Sequence, residues 1–157
     1  MTEMLTVIDL VATQIRIAAG EPLGFGQEDV EVRGHAFEFR INAEDAAHEF
    51  RPQAGLVERF YAPGGPGVRM DSHLYAGYDV PPFYDSLLGK LVVWGADRPA
   101  AIARSKAALD ELVVDGIITN RSFHRALLEN AAFIEGRVTT NLIDRVGTAA
   151  FLAAERG

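Results

Sequence analysis

The sequence predicts an α+β domain: an antiparallel sheet with helices packed after it. Segments of strand character cluster between residues 34 and 95, and helical ones follow from about residue 97 onward. No alternation of strand and helix suggests a parallel sheet. At 157 residues and 48% hydrophobic composition, the chain can hold one compact domain with its own core and an appended element.

The elements follow in order. Met4, Leu5, Ile8, Val11, Ala12 and Ile15 recur at three- and four-residue steps until Gly20 and Pro22, so one amphipathic helix is predicted over 2–19, shaped to dock on something. Period-two alternation then places Phe37, Phe39 and Ile41 on one face of a strand and Glu38, Arg40 and Asn42 on the other. Val68, Met70, Ser72 and Leu74 alternate likewise with Arg69, Asp71, His73 and Tyr75. Strands are predicted at 34–42, 55–61, 67–75 and 87–95, punctuated by the Pro/Gly stretches 62–67 and 78–82. Asp97 is a predicted N-cap with Pro99 in the first turn of a helix whose buried stripe is Ile102, Leu109, Leu112 and Val113. Two more helices are predicted at 121–130, with Phe123 and Leu127 inward, and at 140–153, with Leu142, Ile143, Val146 and Leu152 inward. There is no internal repeat and no low-complexity tract.

Composition removes several functional classes. The formal net charge is −7, and residues 1–80 hold 13 acids against 6 bases while the remainder is balanced at 9 of each. Phosphate backbones and anionic bilayers are held by clustered Lys and Arg, so neither nucleic acid nor membrane is expected as a partner. No apolar run reaches the roughly 18–20 residues that span a bilayer, and no signal-peptide pattern opens the chain, so a soluble protein is expected. With no cysteine, the sequence has no disulfide, zinc thiolate, iron–sulfur ligand or cysteine nucleophile.

Few motifs carry chemistry by themselves. The glycine-rich stretch 63–67 leads into a strand and not into a helix N-terminus, which favours a hairpin connection over a phosphate loop. His35, His48, His73 and His124 show no helical i, i+4 pair and no ligand spacing, so no metal is expected. Asp71-Ser72-His73 and Asp85-Ser86 contain triad residue types, but adjacent strand residues point to opposite faces and cannot form a relay. Arg40 has two readings. Two residues from Glu38 on one face, it can be a surface ion pair; alternatively its guanidinium is a fixed donor for a developing oxyanion.

The segments Arg33-Gly34-His35-Ala36-Phe37-Glu38-Phe39-Arg40-Ile41-Asn42-Ala43-Glu44-Asp45, Ala62-Pro63-Gly64-Gly65, Val68-Arg69, Asp71-Ser72-His73, Tyr75-Ala76-Gly77-Tyr78, residues 80–91 from Val80-Pro81-Pro82 to Gly89-Lys90-Leu91, and Asp115-Gly116-Ile117-Ile118-Thr119-Asn120 occur in this order. Together they resemble the C-terminal part of biotin carboxylase, from Thr2 to about Ile143. That resemblance implies a barrel-like antiparallel domain at 31–150 with packed C-terminal helices, preceded at 1–22 by the residual last helix of an ATP-grasp domain. It also implies that the nucleotide, Mg²⁺ and bicarbonate ligands lie mostly outside this chain, in N-terminal and ATP-grasp domains, so that the isolated chain is inactive.

In the family's reaction ATP activates bicarbonate and a biotin ureido enolate is carboxylated. Arg40 matches the arginine placed against the ureido oxygen, the catalytic assignment here. Glu38, Asp85 and Arg69 are implied as supporting or interface residues, Arg69 matching a dimer-interface arginine whose aromatic neighbour is replaced by Pro66. Thr140 falls loosely near the adenine pocket, with an N-cap for the last helix as its other reading. No Met-Lys-Met biotinylation segment occurs, so biotin is expected on a carrier protein or domain. The implied setting is the cytoplasmic acetyl-CoA carboxylase of fatty acid synthesis or a related acyl-CoA or pyruvate carboxylase, with a carboxyltransferase as further partner and a homodimer as the full-length form. The alternative is a stand-alone, non-catalytic dimerisation module of the same fold.

Overall fold

The structure, a computed structural model, describes residues 1–150. Its centre is a three-stranded antiparallel sheet in the order β1 (His35–Asn42), β8 (Leu87–Gly95), β6 (Val68–Ser72). These are the strands predicted at 34–42, 87–95 and 67–75, the last ending early at Ser72. Three two-stranded ribbons surround the sheet: β2 (Glu44–Asp45) with β3 (Arg51–Pro52), β4 (Gly55–Leu56) with β7 (Asp79–Val80), and β5 (Arg59–Tyr61) with β9 (Val113–Asp115). Among the described residues these strands do not close into a barrel, and the expected α+β class built on an antiparallel sheet holds.

Alternation makes the sheet two-faced. Phe39, Ile41, Leu91 and Val93 bury one face against Ile102, Ala108 and Leu109 of α3 (Arg98–Glu111), with Leu112 and Leu128 completing the core. Asp97 caps α3, its carboxylate accepting from the Ala100 amide at 2.8 Å, with Pro99 in the first turn as predicted. Gly95 lets the helix approach, since a Cβ there would lie 2.3 Å from the Ala101 nitrogen.

Several predicted boundaries move for local reasons. The helix over 2–19 is two helices, α1 (Thr2–Thr6) and α2 (Leu10–Ala18), because Val7 turns left-handed (φ 60°) and the Asp9 carboxylate caps a new start at the Ala12 amide, 2.8 Å away. The predicted strand 55–61 breaks at buried Val57, its two halves pairing with different partners. Val113 does not continue the α3 stripe: Leu112 leaves the helix (ψ 120°) and Val113 opens β9. The segment 62–67 joins β5 to β6, which pair with β9 and β8 respectively, so it is a crossover between sheets and not a hairpin.

At the C-terminal side, α4 (Arg121–Leu127) buries Phe123 as predicted and ends early. There Asn130 caps a further short helix, α5 (Ala131–Ile134), through the Phe133 amide. Leu142 of α6 (Leu142–Val146) is buried and Val146 packs beside it, whereas Ile143 is exposed. Gly147 (φ 79°) ends α6, and Leu152 lies outside the described residues.

Candidate functional site

The other face of the sheet carries the polar residues. Register alone sets their rows: Glu38, Val92 and Arg69 lie side by side across β1, β8 and β6, and Arg40, Lys90 and Asp71 form the next row. Glu38 does not pair with Arg40; its carboxylate lies 3.5 Å from the Met1 amino group. Arg69 donates to Asp71 and, at 2.9 Å, to Glu3, which ties α1 to β6 and keeps the Arg69 guanidinium charged above its already high range. Arg40 is exposed, and among the described residues its guanidinium makes no hydrogen bond or ion pair. The surface-pair reading of Arg40 therefore lacks its partner.

The backbone beneath Arg40 is held from the free edge of β1. Its carbonyl accepts from Asn120 Nδ2 at 3.1 Å and from His124 Nε2 at 3.0 Å. A carbonyl can only accept, so His124 is protonated on Nε2. Burial holds the His124 pKa below its ordinary value, only partly countered by that bond and by the charge of Glu44. The ring packs edge-on against Phe39, fixing its place beside β1. One step along, Asn42 donates from Nδ2 to Glu44, which also accepts from Ser86 Oγ.

The other expected residues lie apart from Arg40's row. Asp85 sits on an exposed loop where its carboxylate accepts from the Leu87 amide at 2.8 Å, an Asx turn that starts β8. Thr140 is exposed in the turn before α6 and does not cap it; Asn141 occupies the N-cap position. No group of three or more His, Asp or Glu side chains that could hold a metal ion occurs among the described residues. The histidines are committed elsewhere: His35 to Arg98, His48 to Asp45, His73 against Tyr78. Lys90 and Asn120 escaped the sequence reading. Alternation in 87–95 could have placed Lys90 on the polar face, but only the strand register puts it opposite Arg40.

An α+β domain whose strands present cations that are unpaired among the described residues lends positive charge to whatever meets that face. Residues 38–145 match the family model of the biotin carboxylase C-terminal domain. The chain is 51% identical over 146 residues to the biotin carboxylase of Nostoc sp. and 49% identical over 144 residues to a pyruvate carboxylase component of Methanothermobacter thermautotrophicus. These matches take in 93% and 92% of this chain but 33% and 29% of those proteins. A solved structure, the biotin carboxylase domain dimer of Hydrogenobacter thermophilus 2-oxoglutarate carboxylase with MgADP, ADP and bicarbonate, superposes with a TM-score of 0.91 at 39% identity. It covers 95% of this chain and 33% of that one. This chain belongs to the biotin carboxylase C-terminal domain family, and it spans about a third of the length of the relatives it matches.

Proposed function

We propose that this chain serves, as the C-terminal portion of a longer enzyme, in the ATP- and bicarbonate-dependent carboxylation of biotin on a carrier protein. In that enzyme the N-terminal and ATP-grasp domains supply the nucleotide, Mg²⁺ and bicarbonate ligands, and residues 31–150 act beside them, with 1–22 belonging to the preceding domain. The observation that carries the reading is the exposed guanidinium of Arg40, unpaired among the described residues, on a backbone held by Asn120 and His124.

Bound biotin supplies the ureido nitrogen that takes up the carboxyl group. Arg40 would meet the ureido oxygen, where negative charge develops as that nitrogen loses its proton. A planar fork that stays protonated throughout moves no proton; it donates two N–H groups and stabilises charge that is larger in the transition state than in the ground state. Arg69, paired with Glu3, holds α1 to the sheet, and with Glu38 it supports the face on which the rest of the enzyme and its second copy pack. Asp85 orders the loop entering β8, and Thr140 lies toward the nucleotide side. The final acceptor in this reading is acetyl-CoA, as in cytoplasmic fatty acid synthesis, or a related acyl-CoA or keto acid, served in each case by a carboxyltransferase. Among the described residues no helix is long and apolar enough to cross a membrane.

The test is to measure ATP cleavage and carboxybiotin formation in parallel in the full-length enzyme. Arg40→Ala should lower carboxybiotin formation by on the order of 10²–10³, the loss typical of an oxyanion donor, and ATP cleavage much less. Arg40→Lys should recover only part, since it keeps the charge and loses the fork. Equal losses in both measurements, or none in either, would refute the role.

A further inference from the structure

Asn120 is buried, and its side chain does what an extra strand would do at the free edge of β1. In an extended strand the carbonyl of one residue and the N–H two residues on face the same side. Here those groups belong to Arg40 and Asn42. Asn120 Nδ2 donates to the Arg40 carbonyl at 3.1 Å, and its Oδ1 accepts from the Asn42 amide at 2.9 Å. Its own backbone N–H donates to the Asn42 carbonyl at 3.1 Å. One residue therefore holds three backbone groups of β1 next to the bulge between Ile41 and Asn42.

We propose that Asn120 is the positioning residue of Arg40: its carboxamide fixes the backbone from which the guanidinium projects, and so sets where positive charge meets the developing oxyanion. The proposal rests on the reading of Arg40 above. Among the described residues no side chain grips the guanidinium, so the direction of the Arg40 Cα–Cβ bond, set by the strand backbone, controls its reach. Charge stabilisation of this kind is sensitive to small displacements: a shift of about 1 Å can cost about 10²-fold in rate. Asparagine is required because one end of the amide must donate and the other accept. Asn120→Asp keeps the size and the acceptor for Asn42, but it sets an oxygen against the Arg40 carbonyl.

The test uses the full-length enzyme, with ATP cleavage and carboxybiotin formation measured for Asn120→Asp, Arg40→Ala and the double variant. Asn120→Asp should lower the ratio of carboxybiotin to ATP cleaved at least tenfold, with ATP cleavage within about threefold of the parent. The double variant should match Arg40→Ala alone, because a positioning residue has nothing left to position. If Asn120→Asp lowers both activities equally, lowers neither, or multiplies the loss caused by Arg40→Ala, the proposal is wrong. If Arg40→Ala itself leaves the ratio unchanged, the reading of Arg40 fails first and this proposal with it; if only Asn120→Asp leaves it unchanged, this proposal fails alone. Should Asn120→Asp not fold, His124→Phe removes the second donor to the same carbonyl. A threefold or greater fall in the ratio then supports the proposal, and an unchanged ratio overturns it.

Discussion

Arg40 and Lys90 stand directly opposite each other across β1 and β8. Because the Arg40 carbonyl is turned outward to Asn120 and His124, this is a non-hydrogen-bonded pair, the kind in which side chains come closest. Like charges so placed repel, and the one carboxylate in their row, Asp71, is engaged by Arg69. The sheet thus carries an electrostatic cost at the residue assigned to the chemistry, a pattern common where structure serves a site.

Lys90→Gln should therefore leave stability within about 0.5 kcal/mol of the parent, as the lost repulsion offsets the lost packing. In the full-length enzyme it should reduce carboxybiotin formation less than Arg40→Ala does, since a second cation adds potential but not the fork. Thermal unfolding and turnover on one preparation check both. A loss equal to that of Arg40→Ala would make Lys90 the principal donor.

The central sheet and α3 were legible because their signals are local. Period-two runs wrote β1 and β6, and Asp97 with Pro99 announced α3. What escaped depends on long-range pairing or on a single backbone angle. Nothing near residue 7 marks Val7 as left-handed, since a β-branched residue is an unusual choice there. β9 is three residues long and exists only because β5 lies beside it, more than fifty residues away in sequence. Arg40 could be singled out from its alternation and the family resemblance. The clamp from Asn120, eighty residues on, had no periodic signature at all.

Gly95→Ala should be costly and Gly64→Ala silent, the first glycine closing β8 and the second lying in the 62–67 crossover. A Cβ at 95 would meet the Ala101 backbone at 2.3 and 2.7 Å, whereas nothing lies within 4 Å of one at 64. Overpacking of this kind costs about 1–3 kcal/mol, and roughly 2–4 °C of Tm per kcal/mol is expected at this size. Gly64→Ala should stay within about 0.5 kcal/mol. A silent Gly95→Ala in thermal unfolding would mean that α3 can move away from β8 freely.

Stability should fall as the medium is acidified from pH 7.5 toward 5. Burial, aided by the Arg98 charge, holds His35 below its ordinary value of 6.5, and burial does the same for His124. A histidine with a depressed folded pKa favours folding fully above its unfolded pKa, and that contribution is lost as pH falls through the folded one. Asp45, lowered chiefly by its bond from His48, acts in a separate window below its ordinary 3.8. His35→Gln, which retains an acceptor for Arg98, combined with His124→Phe should flatten Tm between pH 7.5 and 5. An unchanged pH profile in the double variant would show that other groups carry the dependence.

Backbone protection should be lowest in α2, for reasons of length and burial. The helix has nine residues, and none is buried. Val11 and Ile15, on its apolar stripe, are 65% and 66% exposed. Isolated helices shorter than about 12–15 residues are marginal in water, and packing of an apolar face supplies most of their stability. Here no residue of that face is buried within the described chain, whereas α3 lies on the sheet with Ala101 and Leu109 fully buried. Native-state hydrogen exchange of the 157-residue chain should show α2 amides exchanging far faster than those of Ala101 to Leu109. In the full-length enzyme the same α2 amides should become protected, because the preceding domain would then cover Val11 and Ile15. Strong, concentration-independent protection of Val11 in the short monomeric chain would show that α2 holds itself, and the exposed stripe would then need no partner.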